Sequence, residues 1–347
     1  MRNCLKFNSG HISRRKFLEG TMFALPVVVL PSVAFSLATR EQCVHRTTFA
    51  MGTMVSIQAY NADVRLVHHA INKAFDEVRR LDALFSVYNS ESEISKINNL
   101  AGKDDFPVSI ETMELISHAL SFAQTTNGMF DCTVEPLMRL WGFRNEAQQP
   151  VHIPPKREIN KILDAVGYQH ISINHREQRI GLLKQGAAID LGGIAVGYTV
   201  DRMAAILRRE GISSAFINHS GDVYAIGSPP DNIGWPVVVP SPEKHSEHAY
   251  TTILRDQAMS TSGSQEKFVS IEGKRYCHII DVTSGMPTAS IKSVTVIAPT
   301  SLLADVYSTT FFVDGPQSLP TSKNNGTKLE LILVSNQTTI EKTLFIE

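Results

Sequence analysis

The sequence predicts an α+β fold. Short runs of alternating apolar residues cluster instead of taking strict turns with helices, four segments show helical spacing, and no Pro/Gly/Ser-rich linker divides the chain. A doubly wound parallel sheet would need strand and helix to alternate throughout. With 347 residues, 43% of them hydrophobic, the chain can bury a sizeable core in one large domain or two.

Residues 53–60 alternate as a half-buried strand. A helix follows with Val67, Ile71, Ala74, Val78 and Leu81 on one face and Asp63 placed to cap its start. Met113, Ile116, Leu120 and Ala123 mark a second helix that stops at Asn127-Gly128. Val200, Met203, Ala204 and Leu207 mark a third that stops at Gly211. Further strands are expected over 214–217, 235–239, 268–271, 275–280, 293–298 and 329–334, with Glu272-Gly273 as a hairpin turn. Residues 299–312 read as a fourth helix, with Leu302, Leu303, Val306 and Phe312 on or near an apolar face. The stretches 145–155, 240–246 and 317–326 read as surface loops.

Residues 1–38 read as an export signal: a basic start, then the apolar stretch 22–37. Ser13-Arg14-Arg15-Lys16-Phe17-Leu18 matches the twin-arginine pattern, which sends a folded protein to the periplasm. Pro26 and Pro31 interrupt an apolar run already shorter than the ~20 residues of a spanning helix. Cleavage is expected after Ala38, leaving 39–347 as the working domain. The signal is strongly basic while the whole chain is −1, so the remainder is mildly acidic, which argues against nucleic acid or an anionic membrane as partner. Cys43, Cys132 and Cys277 remain; their spacing fits no zinc motif, and no structural disulfide is expected.

The run Asp190-Leu191-Gly192-Gly193-Ile194-Ala195-Val196-Gly197 opens the third helix. Backbone without Cβ approaches a ligand closely, and a helix start favours an anion, so a phosphate-containing ligand is expected near Asp190. The spacing is neither the dinucleotide fingerprint nor the P-loop. Asp305 and Thr309, four apart on the fourth helix, stack a carboxylate and a hydroxyl on one face. Such hard oxygen donors suit Mg²⁺, although most pairs at this spacing are capping or solvated. His278, at a strand end near Asp281, is the residue best poised to move a proton near neutral pH. Tyr88 lies just past a helix, where an aromatic could stack on a ligand ring or simply fill a core. Asp131 could accept hydrogen bonds from a ligand or be a plain loop acid.

Met51-Gly52-Thr53, Gly128-Met129-Phe130-Asp131, the glycine-rich run, His278-Ile279-Ile280-Asp281 and Ala304-Asp305-Val306-Tyr307-Ser308-Thr309 together resemble the FAD:protein FMN transferase family, the ApbE proteins. The motifs keep the family's order from about residue 50 to about residue 315. The resemblance implies antiparallel sheets and packed helices in two intertwined halves around a flavin nucleotide. It implies that Met51, Tyr88, Met129, Phe130, Asp131 and Ile280 line the flavin site and that Asp190 contacts FAD. Asp305, Thr309 and the backbone oxygen of Gly193 would hold Mg²⁺, and His278 would be the base, with Asp281 as the alternative. Val196 stands where many relatives carry Lys or Glu, Ser220 replaces a customary Gly, and Ser308 stands where Ala or Asp is common. The implied reaction moves FMN from FAD to a Thr or Ser hydroxyl of an acceptor, releasing AMP. That acceptor would be a flavoprotein subunit of a membrane redox complex, with nitrous-oxide respiration one setting. An FAD diphosphatase giving AMP and FMN, or an FAD-binding protein without turnover, remain the alternatives.

Overall fold

The structure is a computed structural model that describes residues 41–144, 150, 152–240, 248–264, 267–289, 291–315, 327–335 and 339–346. The export signal, residues 241–246 of the loop expected over 240–246, the loop expected over 317–326, and part of the 145–155 loop lie outside the described residues.

Strands β1 (Gln42–Ala50) and β2 (Thr53–Asn61) lead into helix α1 (Val64–Phe85). Asp63 caps α1 by accepting the N–H groups of Arg65 and Leu66, as its position predicts. Then come α2 (Glu93–Asn99), β3 (Asp105–Pro107), α3 (Ile110–Thr125), α4 (Glu135–Leu140), α5 (Lys156–Leu163), β4 (Ile171–Asn174) and β5 (Arg179–Leu182). Helix α6 (Ala195–Arg209) precedes β6 (Ala215–His219), β7 (Asp222–Ile226), β8 (Trp235–Pro240), β9 (His248–Leu254) and β10 (Gln257–Gly263). The chain continues through β11 (Phe268–Ile271), β12 (Lys274–Cys277), β13 (Ile280–Asp281), β14 (Met286–Pro287), β15 (Ile291–Ala298), α7 (Ser301–Asp314), β16 (Thr327–Ser335) and β17 (Thr339–Ile346). This is the mixed, antiparallel α+β architecture expected.

Eight strands form one antiparallel sheet in the order β1-β2-β6-β7-β10-β15-β16-β17. On one face Ile57, Ile217, Val294 and Leu331 meet Ile71 of α1, Met203 of α6 and Phe311 of α7 in the largest core. On the other, Phe216, Val223, Ile297 and Ile332 lie under Trp235, Val237 and Leu254 of the β8–β9 hairpin. Chain between α1 and α6 builds a second core around Ile94, Leu115, Ile180 and Ile189. A satellite core then joins Leu137, Trp141 and Ile159 to Val269, Ile271 and Ile280 from much later in the chain. The two halves therefore interleave. Helices α6 and α7 bridge them: Ala195 and Val306 belong to the second core, Met203 and Phe311 to the first.

Three tight turns share one design. Met51-Gly52, Ser220-Gly221 and Glu272-Gly273 each join paired strands with two residues, all six at positive φ between 50° and 100°. Such turns match the right-handed twist of the strands they join. Asn218 and His219 pair with Val223 and Asp222 across the β6–β7 hairpin, with Ser220-Gly221 at its tip.

Strand β10 escaped the sequence reading because its buried face carries Ser260 and Ser262 where an apolar residue would be expected. The strand expected over 275–280 is broken between Cys277 and Ile280, which leaves His278 at an irregular position. Helix α7 has no single apolar face: Asp305, Ser308 and Thr310 are buried with its hydrocarbon residues, while Leu302 and Leu303 are only partly covered. Cys132 and Cys277 are free thiols.

Candidate active site

The glycine-rich run follows Ile189 of the second core, whose N–H and C=O are held by the Asn98 side chain at 2.7 and 2.9 Å. The Asp190 N–H donates to Cys132 O at 2.8 Å, tying the run to segment 128–133. The Asp190 carboxylate accepts the Gly192 N–H through Oδ1 at 2.9 Å and Arg144 Nη2–H through Oδ2 at 2.5 Å.

Helix α7 arrives from the other side, and α6 sets its position. Asp201 accepts the Ser301 and Leu302 N–H groups at 2.8 and 2.9 Å, capping α7 from a neighbouring helix. Burial lifts the Asp201 pKa to about 6 despite these two donors. One turn into α7, Asp305 Oδ2 accepts the Gly197 N–H at 2.9 Å. A Cβ at Gly197 would stand 2.5 Å from Ser301 O and 2.7 Å from Asp305 Cβ, so this close approach requires glycine. Asp305 is only 6% exposed, because it sits in this helix–helix contact.

A turn later, Thr309 faces the run. A Cβ at Gly193 would lie 3.6 Å from Thr309 Oγ1 and 3.5 Å from Phe130 Cε2, so these three residues border a space that a side chain at 193 would fill. Behind Thr309 runs a line of hydroxyls: Ser262 Oγ is 3.4 Å from Thr309 Oγ1 and 2.8 Å from Ser308 Oγ, and Ser308 donates to Asp305 O at 2.9 Å. Among the described residues no group of three or more His, Cys, Asp or Glu could hold a metal. The Asp305 carboxylate and the Thr309 hydroxyl are hard oxygen donors of the kind that suits Mg²⁺, which keeps several waters among its ligands.

His278 Nδ1 lies 3.2 Å from Lys267 O. A carbonyl only accepts, so Nδ1 carries the proton and Nε2 the lone pair. Burial pushes the imidazole down to about 4; Arg144 adds to that shift and Asp190 opposes it, so both charges act on the ring. Asp281 is spent on its own turn, Oδ1 accepting from the Thr283 N–H and hydroxyl at 2.8 and 2.7 Å and Oδ2 from Ser284 Oγ at 2.6 Å. Burial raises its pKa, and the donors from Ser284 and Thr283 outweigh burial and hold it below the usual carboxylate value.

Met51 sits at the first positive-φ position of the β1–β2 turn, its N–H held by Asp82 Oδ2 at 2.8 Å and its sulfur 3.6 Å from Thr199 Oγ1. Tyr88 is exposed, with its hydroxyl accepting from Arg144 Nη1 at 3.0 Å. Met129 is half-buried, and Phe130 is buried edge-on against Phe122. Asp131 turns inward: Oδ1 accepts the Thr133 N–H and hydroxyl and Oδ2 the Tyr168 N–H, all within 2.8 Å. The Ile280 side chain packs in the satellite core, which leaves its backbone as the part that could face a ligand. A cavity of about 250 Å³ opens between Gly128, Asp131, Tyr168 and Thr283. A larger depression of about 520 Å³, near Ser213, Pro229 and Arg255, shares no residue with this site.

The structure thus gathers Gly193, Thr309 and Asp305 around the α6–α7 contact and sets Asp190, Tyr88 and His278 around Arg144. Arg144, Glu135, Asp82 and Asp201 were not picked out from the sequence as site residues. Asp201 had a signal, standing one helical turn from Gly197 on the face that meets α7. Arg144 had none, since its partners lie 9, 46 and 56 residues away.

A model of the ApbE family matches residues 51–333. The FAD:protein FMN transferase of Escherichia coli K12 is 29% identical over 309 residues, covering 88% of this chain and 87% of that protein. Its counterpart in Salmonella typhimurium LT2 is 30% identical over 271 residues, 77% of each. Among solved structures, an ApbE protein of Thermotoga maritima superposes with a TM-score of 0.78 at 31% identity, covering 88% of this chain and 97% of that one. The flavinyl transferase ApbE of Pseudomonas stutzeri, in its apo form, gives 0.76 at 26% identity, covering 88% and 96%. With a family model matching residues 51–333 and the likeness spanning both halves, the chain belongs to the ApbE family.

Proposed function

We propose that this chain transfers FMN from FAD to a Thr or Ser hydroxyl of an acceptor flavoprotein, releasing AMP. The observation that carries the reading is the meeting of Gly193 with Thr309 and of Gly197 with Asp305, each more than 100 residues later, in the same run as Asp190, whose charge acts on His278. Asp305, Thr309 and the Gly193 carbonyl would hold Mg²⁺, whose charge would offset that of the diphosphate and of the departing AMP. The acceptor oxygen attacks the FMN-side phosphorus, and the bond to the AMP phosphate breaks. No protein nucleophile is needed, because such transfers depend on positioning and charge stabilisation.

His278 is neutral at pH 7, so Nε2 can take the acceptor's proton while Nδ1–H stays on Lys267 O. Asp281, with both oxygens committed to its turn, supports the loop beneath His278. Asp190 would orient the nucleotide at the start of α6. Arg14 and Arg15 support export to the periplasm by the twin-arginine route, and a membrane redox complex, such as one serving nitrous-oxide respiration, fits that address. Changing both to Lys should strand precursor in the cytoplasm; normal export would assign the segment to the general secretory route.

The reading is tested with Asp305→Asn, which keeps an acceptor for the Gly197 N–H while removing the charge. In-gel flavin fluorescence of a candidate acceptor, incubated with enzyme, FAD and Mg²⁺, should appear with wild type and vanish with the variant. Flavinylation by Asp305→Asn near the wild-type rate would remove the metal site. Free FMN and AMP without any labelled protein would identify a diphosphatase instead.

A further inference from the structure

Arg144 stands just past α4, where three segments distant in sequence converge on its guanidinium. Nε–H donates to Glu135 Oε2 at 2.7 Å, Nη1–H to the Tyr88 hydroxyl at 3.0 Å, and Nη2–H to Asp190 Oδ2 at 2.5 Å. Nη2 also contacts Glu135 Oε2. The guanidinium carbon lies 5.3 Å from the centre of the Tyr88 ring, a cation–π distance. Its partners are not surface groups: Glu135 is 2% exposed and the Asp190 side chain 13%.

Without Arg144 the cleft would hold two carboxylates with little water to screen them. Burial already pushes the Glu135 pKa up, with Arg144 pulling against that shift and Asp190 adding to it. Arg139 also reaches Glu135, at 2.8 Å, but its side chain is 59% exposed, and no contact joins it to Asp190. An anionic diphosphate approaching this place would meet repulsion from both acids. The fork geometry matters as much as the charge, because three partners in different directions need the rigid, planar donor set of arginine.

We propose that Arg144 is the positioning residue of the nucleotide site: its single positive charge offsets part of the negative charge of Asp190 and Glu135 and it fixes Tyr88 beside Asp190, so that a diphosphate meets less repulsion than the two bare carboxylates would present. This rests on the reading of the cleft as the FAD site. Arg144 acts on the ligand through the two residues it holds, and it serves binding more than the chemical step.

FAD titration and transfer kinetics on the full-length protein, with Arg144→Met, Arg144→Lys and Arg144→Met/Glu135→Gln, separate the possibilities. Arg144→Met should raise Kd and KM for FAD by about 30-fold or more, as expected when a buried charge loses its partner, with kcat at saturating FAD within about threefold of wild type. Arg144→Lys, which restores charge without the fork, should fall between the two. Adding Glu135→Gln to Arg144→Met should recover a large part of the affinity, since one uncompensated carboxylate is gone. A merely structural arginine would show the opposite pattern, with kcat and melting temperature falling together and the second change adding damage. That pattern, or FAD affinity of Arg144→Met within twofold of wild type, overturns the proposal. If Arg144→Met does not fold, Arg144→Lys decides: wild-type affinity for FAD there shows the fork to be dispensable and also overturns it. Wild type that transfers FMN while the variants bind normally leaves the function standing and removes Arg144 alone; wild type that binds no FAD removes both.

Discussion

Asp190 and His278 act on each other through charge, yet their surroundings assign them different failures. Asp190 offers its carboxylate to the Gly192 N–H and to Arg144, contacts that shape the start of a nucleotide-facing turn. His278 keeps a neutral ring anchored by one carbonyl, which suits proton transfer. Asp190→Ala should therefore weaken FAD binding first, whereas His278→Ala should slow transfer by ~10²–10⁴ with little change in FAD affinity. Because burial puts the His278 pKa near 4, its protonation removes activity only on the far acid side, and the rate should show no His278-dependent loss between about pH 6 and 8. Stopped-time flavinylation assays across that range, alongside FAD titration of each variant, check both points. Loss of FAD binding in His278→Ala with an intact rate at saturating FAD would make His278 a binding or structural residue.

At the scale of elements, the site depends on how closely α6 lies against α7. Gly197 permits the approach and Asp201 fixes the register, so the spacing between Gly193 and Thr309 is a property of the helix pair. Gly197→Ala should push the helices apart, costing about 1–3 kcal/mol of stability and most of the transfer activity. Thermal melts and flavinylation at saturating Mg²⁺ measure the two losses, and a variant with both unchanged would show that the contact can relax. The same contact explains what was legible beforehand. The amphipathic spacing of α1, the Asn127-Gly128 stop and the Glu272-Gly273 turn are local signals, and the structure reproduces them. Strand β10 was hidden because its buried positions carry serines that serve the hydroxyl line behind Thr309. Asp305 and Thr309 were visible as an i,i+4 pair, but the burial of Asp305 was not, since it comes from Gly197 more than 100 residues earlier. Arg144 stayed invisible because a salt bridge that closes across three segments leaves no periodicity behind.

Across the whole molecule, the interleaving of two halves buries ionisable groups away from any one local motif, and stability then depends on pH. His219, at the end of β6, is fully buried, with neither ring nitrogen in a hydrogen bond of good geometry. Burial lowers its pKa to about 4, as it does for His278, while Asp201 moves up to about 6. The signs differ. A histidine whose folded pKa lies below its unfolded value of about 6.5 binds protons first in the unfolded chain, so stability falls as pH drops from about 6.5 towards 4. Asp201, raised above its unfolded value, takes up a proton first in the folded chain and adds stability as pH falls from about 6 towards 4. On acidification the two histidines therefore act against Asp201. His219→Gln should remove its share, flattening the drop in unfolding free energy between pH 7 and pH 5 by about 2 kcal/mol. Denaturant titrations of both proteins at the two pH values give this as a difference of differences, so any uniform cost of the substitution cancels. An equal drop in wild type and variant would mean that His219 titrates in the folded protein much as it does in the unfolded chain.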